Sequence, residues 1–278
     1  MKHLLFASLL ATPLLASAQD LPQPSPSGSV EQVVGLTKIK VNYSRPSAKG
    51  RVIFGDLVPY GKIWRTGANK CTTFETSGPI KVEGQDLPAG IYSVFTIPTE
   101  DTWVIIFNKD TTLWGEDDRK DEADVLRVKV TKGKLGEPVE TLTFGFEAVK
   151  DDKAQLDLRW ENTLVSVHLY ADATEQSLIN IKKALADPKA TFGTYHGCAR
   201  FCLDRNIKLE EALQWAEKSV SMERKYWNTH TYARALAANG KMKEAITAAE
   251  ESMKLAQEAK ADAYVSMNKA KIEEWSKK

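Results

Sequence analysis

Residues 59–77, PYGKIWRTGANKCTTFETS, hold the densest set of side chains in the chain that could do chemistry. Between Gly61 and Gly67 stand Lys62, Trp64 and Arg65, and Asn69 and Lys70 follow at once. A guanidinium is a planar fork of donors matched to carboxylate, sulfate or phosphate, and an amide adds directional hydrogen bonds. Glycine marks places where the backbone takes a positive φ or meets a neighbour closely. Upstream, Arg45, Lys49 and Arg51 extend the run of cations, and Asp56 is the one acid between positions 45 and 70. This pattern predicts a loop that binds an anionic or polyhydroxy ligand through Arg65, Asn69, Lys62, Trp64, Arg45 and Lys70. The competing expectation is a solvated basic face, or cations that pair with the acidic stretch 116–124. Trp64 then belongs to the core rather than to a sugar platform.

The other reactive residues assemble no complete motif. His168 shares a strand face with Ser166 and Tyr170, yet residues two apart on a strand lie about 7 Å apart. A nucleophile needs its base within hydrogen-bond reach, and no G-x-S-x-G elbow is present. Glu75 and Glu83 are the candidate carboxylates for a glycosidase-like pair. Cys71, Cys198 and Cys202 are an odd number, which excludes a full disulfide framework. Cys198 and Cys202 stand four apart on a predicted helix and read as small buried apolar residues. His196 lies two before Cys198, but no further ligand has zinc spacing. His196 and His230 read as packing or surface residues. The acidic stretch 116–122 lacks the D-x-[DN]-x-[DN]-G order of a calcium loop. No metal or cofactor is expected.

The elements that position these residues change character once along the chain. From Val30 the texture is β. Ile39, Val41 and Tyr43 alternate with Lys38, Lys40 and Asn42, the mark of a half-buried strand. Residues 51–54 and 80–83 read as short strands. Positions 91–97 and 103–108 form a predicted hairpin about 98–102. Four further alternating runs follow at 126–130, 141–146, 156–160 and 165–169. Many short strands with turns between predict an antiparallel β-sandwich over 30–170. From Thr174 the chain is rich in Ala, Lys, Glu and Leu at helical spacing, broken by Asp187-Pro188. Glu211-Ala212-Leu213 recurs as Glu244-Ala245-Ile246, Ala216 as Ala249 and Ser219 as Ser252, a period of about 33 residues. This resembles tetratricopeptide repeats, with Gly240 in an inter-helix turn and Asn206 where the first copy wants glycine. Helix 262–275 is expected to cap the stack. The expected class is α+β: a sandwich, then a helical repeat domain over 171–278.

Composition bounds the partners. The 278 residues are 42% hydrophobic and 27% charged, ordinary for a globular protein. Thirty-eight basic residues against 37 acidic ones leave a net charge of +1, which argues against nucleic acid. Lys2, an apolar run over 4–16 and Ala16-Ser17-Ala18 form a secretory signal with cleavage before Gln19. The run is too short for a membrane span, so no stable membrane insertion is expected once it is cleaved. Residues 19–29, QDLPQPSPSGS, read as an extended, disordered Pro/Ser linker.

Five segments carry a family resemblance: VNYSRPSAKGRVIFG (41–55), VPYGKIWRTGANKCTTFETS (58–77), LPAGIYSVFTIP (87–98), WVIIFNK (103–109) and DVLRV (124–128). In this order they resemble the bacterial family of domains of unknown function numbered 2911, over residues 37–170. The resemblance implies export and a following helical repeat region, and implies no activity. It departs from the pattern after Trp114-Gly115: a Tyr-containing loop is replaced by Glu116-Asp117-Asp118-Arg119-Lys120-Asp121-Glu122. The function expected is a non-catalytic binding or scaffolding module of the bacterial envelope. Its helical repeats would meet a peptide or protein, and its β-domain would hold a small anionic or sugar ligand. The alternative is a hydrolase acting on envelope glycans or peptides.

Overall fold

A computed structural model describes residues 21–277, so the signal segment 1–18 and the first two linker residues lie outside it. The chain divides into two compact units at Ala173/Thr174.

The first unit is a nine-stranded antiparallel sheet in the order β1-β2-β3-β6-β7-β8-β9-β4-β5. Its strands are β1 (Ser27–Val34), β2 (Thr37–Ser44), β3 (Thr72–Thr76), β4 (Ile80–Val82), β5 (Gln85–Leu87), β6 (Gly90–Pro98), β7 (Thr102–Asn108), β8 (Asp124–Lys150) and β9 (Lys153–Tyr170). The alternation in β2 holds: Ile39, Val41 and Tyr43 are buried, and Lys38, Lys40 and Asn42 face outward. The hairpin at 98–102 is present, with Pro98 paired to Trp103.

The four runs read as separate strands after residue 124 are two continuous ones. β8 pairs with β7 through Thr131 and then with β9 from Lys132 onward. Its register with β9 shifts three times, between Lys134 and Val139, Val139 and Thr143, and Glu147 and Lys150. Such bulges add residues to one strand and bend it without ending the ladder. The sheet therefore folds over itself, and its two halves bury one core. Ile39, Val41, Phe74, Val94, Ile105 and Val128 come from one half. Leu142, Phe144, Leu156, Leu158, Val165 and Val167 come from the other.

The proposed linker ends earlier than its composition suggests. Ser27, Gly28 and Ser29 belong to β1, paired with Ser44, Tyr43 and Asn42. The Pro26 carbonyl accepts the Arg45 amide at 2.8 Å. Small polar residues suit this edge because the Arg45 stem lies where a larger side chain at Gly28 would sit. Residues 51–54 form no strand; Phe54 makes an isolated bridge to Val58.

The second unit contains α1 (Thr174–Ala186), α2 (Phe192–Arg205), α3 (Leu209–Met222), α4 (Tyr226–Ala238), α5 (Met242–Glu258) and α6 (Asp262–Trp275). These six helices are compatible with a helical repeat region. Ala212, Ala216 and Ser219 on α3 are buried, as are Ala245, Ala249 and Ser252 on α5. The repeat extends to hydrogen bonds. Ser219 Oγ donates to the Phe192 carbonyl at 2.7 Å, and Ser252 Oγ donates to the Tyr226 carbonyl at 2.6 Å. Small residues let the helices approach closely, and each serine satisfies an acceptor at that contact. Asn206 takes the left-handed conformation at the end of α2, and Gly240 does so after α4. Among the described residues, no helix is long and apolar enough to cross a membrane.

Candidate functional site

The loop 59–71 is shaped by its neighbours. β3 covers β6 only as far as Val94, so the far edge of β6 is open beyond that point. Trp64 takes it: Trp64 and Thr96 exchange backbone hydrogen bonds at 2.8 and 2.9 Å, and Gly61 N donates to the Pro98 carbonyl. This surrogate pairing turns the Trp64 ring into the core. It stacks on Trp160 at 5.9 Å and meets Trp103 and Phe54 edge-on. Its Nε1–H donates to the Gly67 carbonyl. At 8% exposure, Trp64 is a core residue whose edge reaches the surface.

The two glycines differ in role. Gly61 takes a φ of 71°, whereas at Gly67 an added Cβ would sit 3.1 Å from Thr72 Oγ1. Thr66 and Asn69 also take positive φ, at 55° and 58°. For a β-branched residue such as Thr66 that is a costly conformation, and three bonds hold it. Thr66 Oγ1 donates to the Trp64 carbonyl, its hydroxyl meets Thr96, and Thr72 Oγ1 donates to the Thr66 carbonyl at 2.7 Å.

The loop opens on a pocket of about 320 Å³. Lys62, Trp64, Arg65 and Asn69 line it, as the sequence suggested, together with Arg51, Leu57, Trp160 and Glu116. Arg51 was legible as part of the cation run. Glu116 and Trp160 come from 51 and 95 residues beyond Arg65, and no local signal connects them to the loop.

Arg65 is partly committed. Its Nη1 donates to the Trp114 carbonyl at 3.1 Å and the Asn69 carbonyl at 3.4 Å. Its Nε lies 3.4 Å from Glu116 Oε2. Pairing with the acidic stretch is thus real, through Glu116. Arg65 Nη2 has no partner among the described residues, and the side chain is 31% exposed. Asn69 spends its amide donors on the Ser25 carbonyl and Ser44 Oγ. Arg51 donates to the Ala48 and Ser47 carbonyls and has no carboxylate partner among the described residues. The Lys62 ammonium is exposed, with no ion pair among the described residues.

Two predicted site residues lie elsewhere. Arg45 points to β8, where Nη2 donates to Thr143 Oγ1 at 3.0 Å and Nε to the Leu142 carbonyl. It ties β2 to β8 and does not line the pocket. Lys70 lines a separate, shallower groove with Ser27, Ser29, Asn42 and Thr73. The reason is the turn at Asn69, which sends successive side chains to different faces.

The acidic stretch is largely neutralised from within. Arg119, 3% exposed, pairs with Asp121 and Asp124 and lies over the Phe95 ring. Arg127 adds a second cation at Asp124, 2.7 Å away. Among the described residues, no three His, Cys, Asp or Glu side chains are grouped to hold a metal ion.

The candidate catalytic residues do not converge. His168 Nδ1 lies 3.0 Å from Glu83 Oε1, whereas Ser166 Oγ donates to Asp157 Oδ1 at 2.7 Å. Glu75 is exposed on β3. Glu116 is the single carboxylate lining the pocket. Cys71 is buried beneath the loop, and desolvation pushes its thiol up to about 11. The protonated Sγ donates to the Gly115 carbonyl at 3.4 Å. In the second unit, Cys198 and Cys202 are buried free thiols.

The fold and this loop match a family model. Residues 25–169, just over half of the chain, match the model described as "Protein of unknown function (DUF2911)", and the chain belongs to that family. No curated protein and no solved structure matches it.

Proposed function

We propose that the chain is an exported, non-catalytic binding module of the bacterial envelope, whose first unit holds a small anionic or polyhydroxy ligand in the pocket at residues 62–69. One observation carries the reading. Arg51, Lys62 and Arg65 line the pocket against the single carboxylate Glu116, three positive charges less one negative, a local excess of +2. Among the described residues, Lys62 and Arg51 have no carboxylate partner of their own. Uncompensated charge of one sign in a recess draws an ion of the other sign. The strained, well-bonded loop beneath supports it, since such backbone persists only where its surroundings over-determine it. Export rests on the pattern at residues 2–18, and the helical unit would present its surface to a peptide or protein.

Thermal shift tests the pocket. A ligand that binds only the folded chain stabilises it by about 2.7 kcal/mol at a hundred times its Kd. Phosphate, sulfate and small carboxylates are expected to raise the melting temperature, and Lys62→Glu is expected to abolish the rise. Substituting an exposed lysine at this position leaves the stability of the unliganded chain within about 0.5 kcal/mol of wild type. Equal shifts in wild type and variant would place the anion elsewhere.

A further inference from the structure

Resting on the reading of this pocket as an anion site, we infer that its ligand is a sugar acid: one molecule carrying a carboxylate, free hydroxyls and a ring face. Three features in and beside this recess ask for these three groups. The excess positive charge of Arg51 and Lys62 asks for the acid. Arg65 Nη2, which has no partner among the described residues, offers it a hydrogen bond.

The second feature is Glu116. Its Oε2 is buried against Arg65 Nε at 3.4 Å, whereas its Oε1 has no partner among the described residues, in a side chain that is 36% exposed and lines the pocket. A carboxylate oxygen at the wall of a pocket is satisfied by a ligand that donates. A simple carboxylate has no donor to give, whereas a sugar hydroxyl has. A guanidinium beside a carboxylate offers donors and acceptors together, which is the complement of a row of hydroxyls.

The third feature is Trp114. It stands beside the recess rather than in its lining, 66% exposed, yet its backbone is pinned. Its carbonyl accepts Arg65 Nη1, the preceding Leu113 is buried in a cluster with Cys71, Phe95 and Ile106, and the Gly115 carbonyl accepts Cys71 Sγ. A large amphipathic ring on a rigid support costs little entropy to use in binding. The residue that accepts from Arg65 thus displays a flat ring two positions from Glu116. A pyranose offers one face of C–H groups to such a ring and its hydroxyl edge to Glu116.

The test is titration of the full chain, followed by tryptophan fluorescence and calorimetry, with D-glucuronate, acetate and D-glucose. Glucuronate is expected to bind at least tenfold more tightly than either acetate or glucose. Trp114→Ala and Glu116→Ala are each expected to remove most of that tenfold advantage. Trp114→Ala should leave acetate affinity unchanged, and Glu116→Ala should leave it unchanged or raised. Glu116→Gln keeps an acceptor and is expected to retain part of the advantage, which separates a contact with the ligand from a folding defect. Acetate and glucuronate binding alike, with both variants indifferent, would overturn the sugar acid and leave the anion site standing. A peptide such as Ala-Glu-Glu binding more tightly than glucuronate would also overturn it. If Lys62→Glu changes the binding of no anion at all, the underlying reading falls as well.

Discussion

At the scale of single residues, Arg65 does two jobs that its type alone does not separate. Residue chemistry marks it as a ligand fork, and the structure adds that it bridges the 59–71 loop to the segment 113–116. Removing it severs bonds to the Asn69 and Trp114 carbonyls and leaves Glu116 without its cation. Arg65→Ala is therefore expected to cost about 1–3 kcal/mol, several degrees of melting temperature at ~2–4 °C per kcal/mol for a unit of this size. Arg65→Lys should recover little, because a single ammonium cannot span two carbonyls and a carboxylate. Urea unfolding checks both, and unchanged midpoints would mean that these bonds are made equally well by water. Lys62 is the contrasting case: it supports no neighbour, so its loss should appear in binding and hardly in stability.

At the scale of elements, the helical unit carries a pH response. His196 on α2 meets the Trp227 ring at 4.5 Å, and its Nδ1 is buried without a hydrogen bond. Desolvation first, and then Arg200 and Arg234, pull its pKa from 6.5 down to about 4; Asp204 opposes and His230 adds to the fall. On α4, His230 is also lowered, by burial, although Asn268 Oδ1 at 2.7 Å acts against the shift. A histidine with a depressed folded pKa favours the fold while neutral. That contribution is whole above about 6.5 and is lost as the pH falls toward 4. Ellipticity melts of the helical signal are expected to drop in midpoint between pH 6.5 and 4, and His196→Gln should flatten that slope. A slope unchanged in the variant would assign the acid sensitivity to other groups.

At the scale of the whole molecule, the chain is a β unit and a helical unit, each with its own core. The N-terminal pattern predicts a mature chain beginning at Gln19. Intact mass of protein from the native envelope checks this, and a mass that retains Met1 would refute it. Much of the fold was legible because local pattern and tertiary role agree. The alternation in β2, the hairpin at 98–102, the left-handed Asn206 and the 33-residue recurrence of Ala and Ser each report a face or a turn that neighbours in sequence define. The four strands that became β8 and β9 were not separable from two, because a bulge at Val139 and a true break both look like Gly and Pro in a polar stretch.

The sequence by itself determined the two textures, the helical periodicity, the cation-rich loop and its two special glycines, since these depend on residue type and short spacing. Only the tertiary structure decided which cations face the pocket. Arg45 was drawn to Leu142 and Thr143 by the folding-over of β8, a pairing across 97 residues. Lys70 was turned away by the positive φ of Asn69. Glu116 was brought to Arg65, and Trp160 to Trp64, by strand order rather than by any local signal. The physical reason is that charge and hydrogen-bonding capacity belong to the residue, whereas the partner that satisfies them is chosen by which distant strands share an edge or a core.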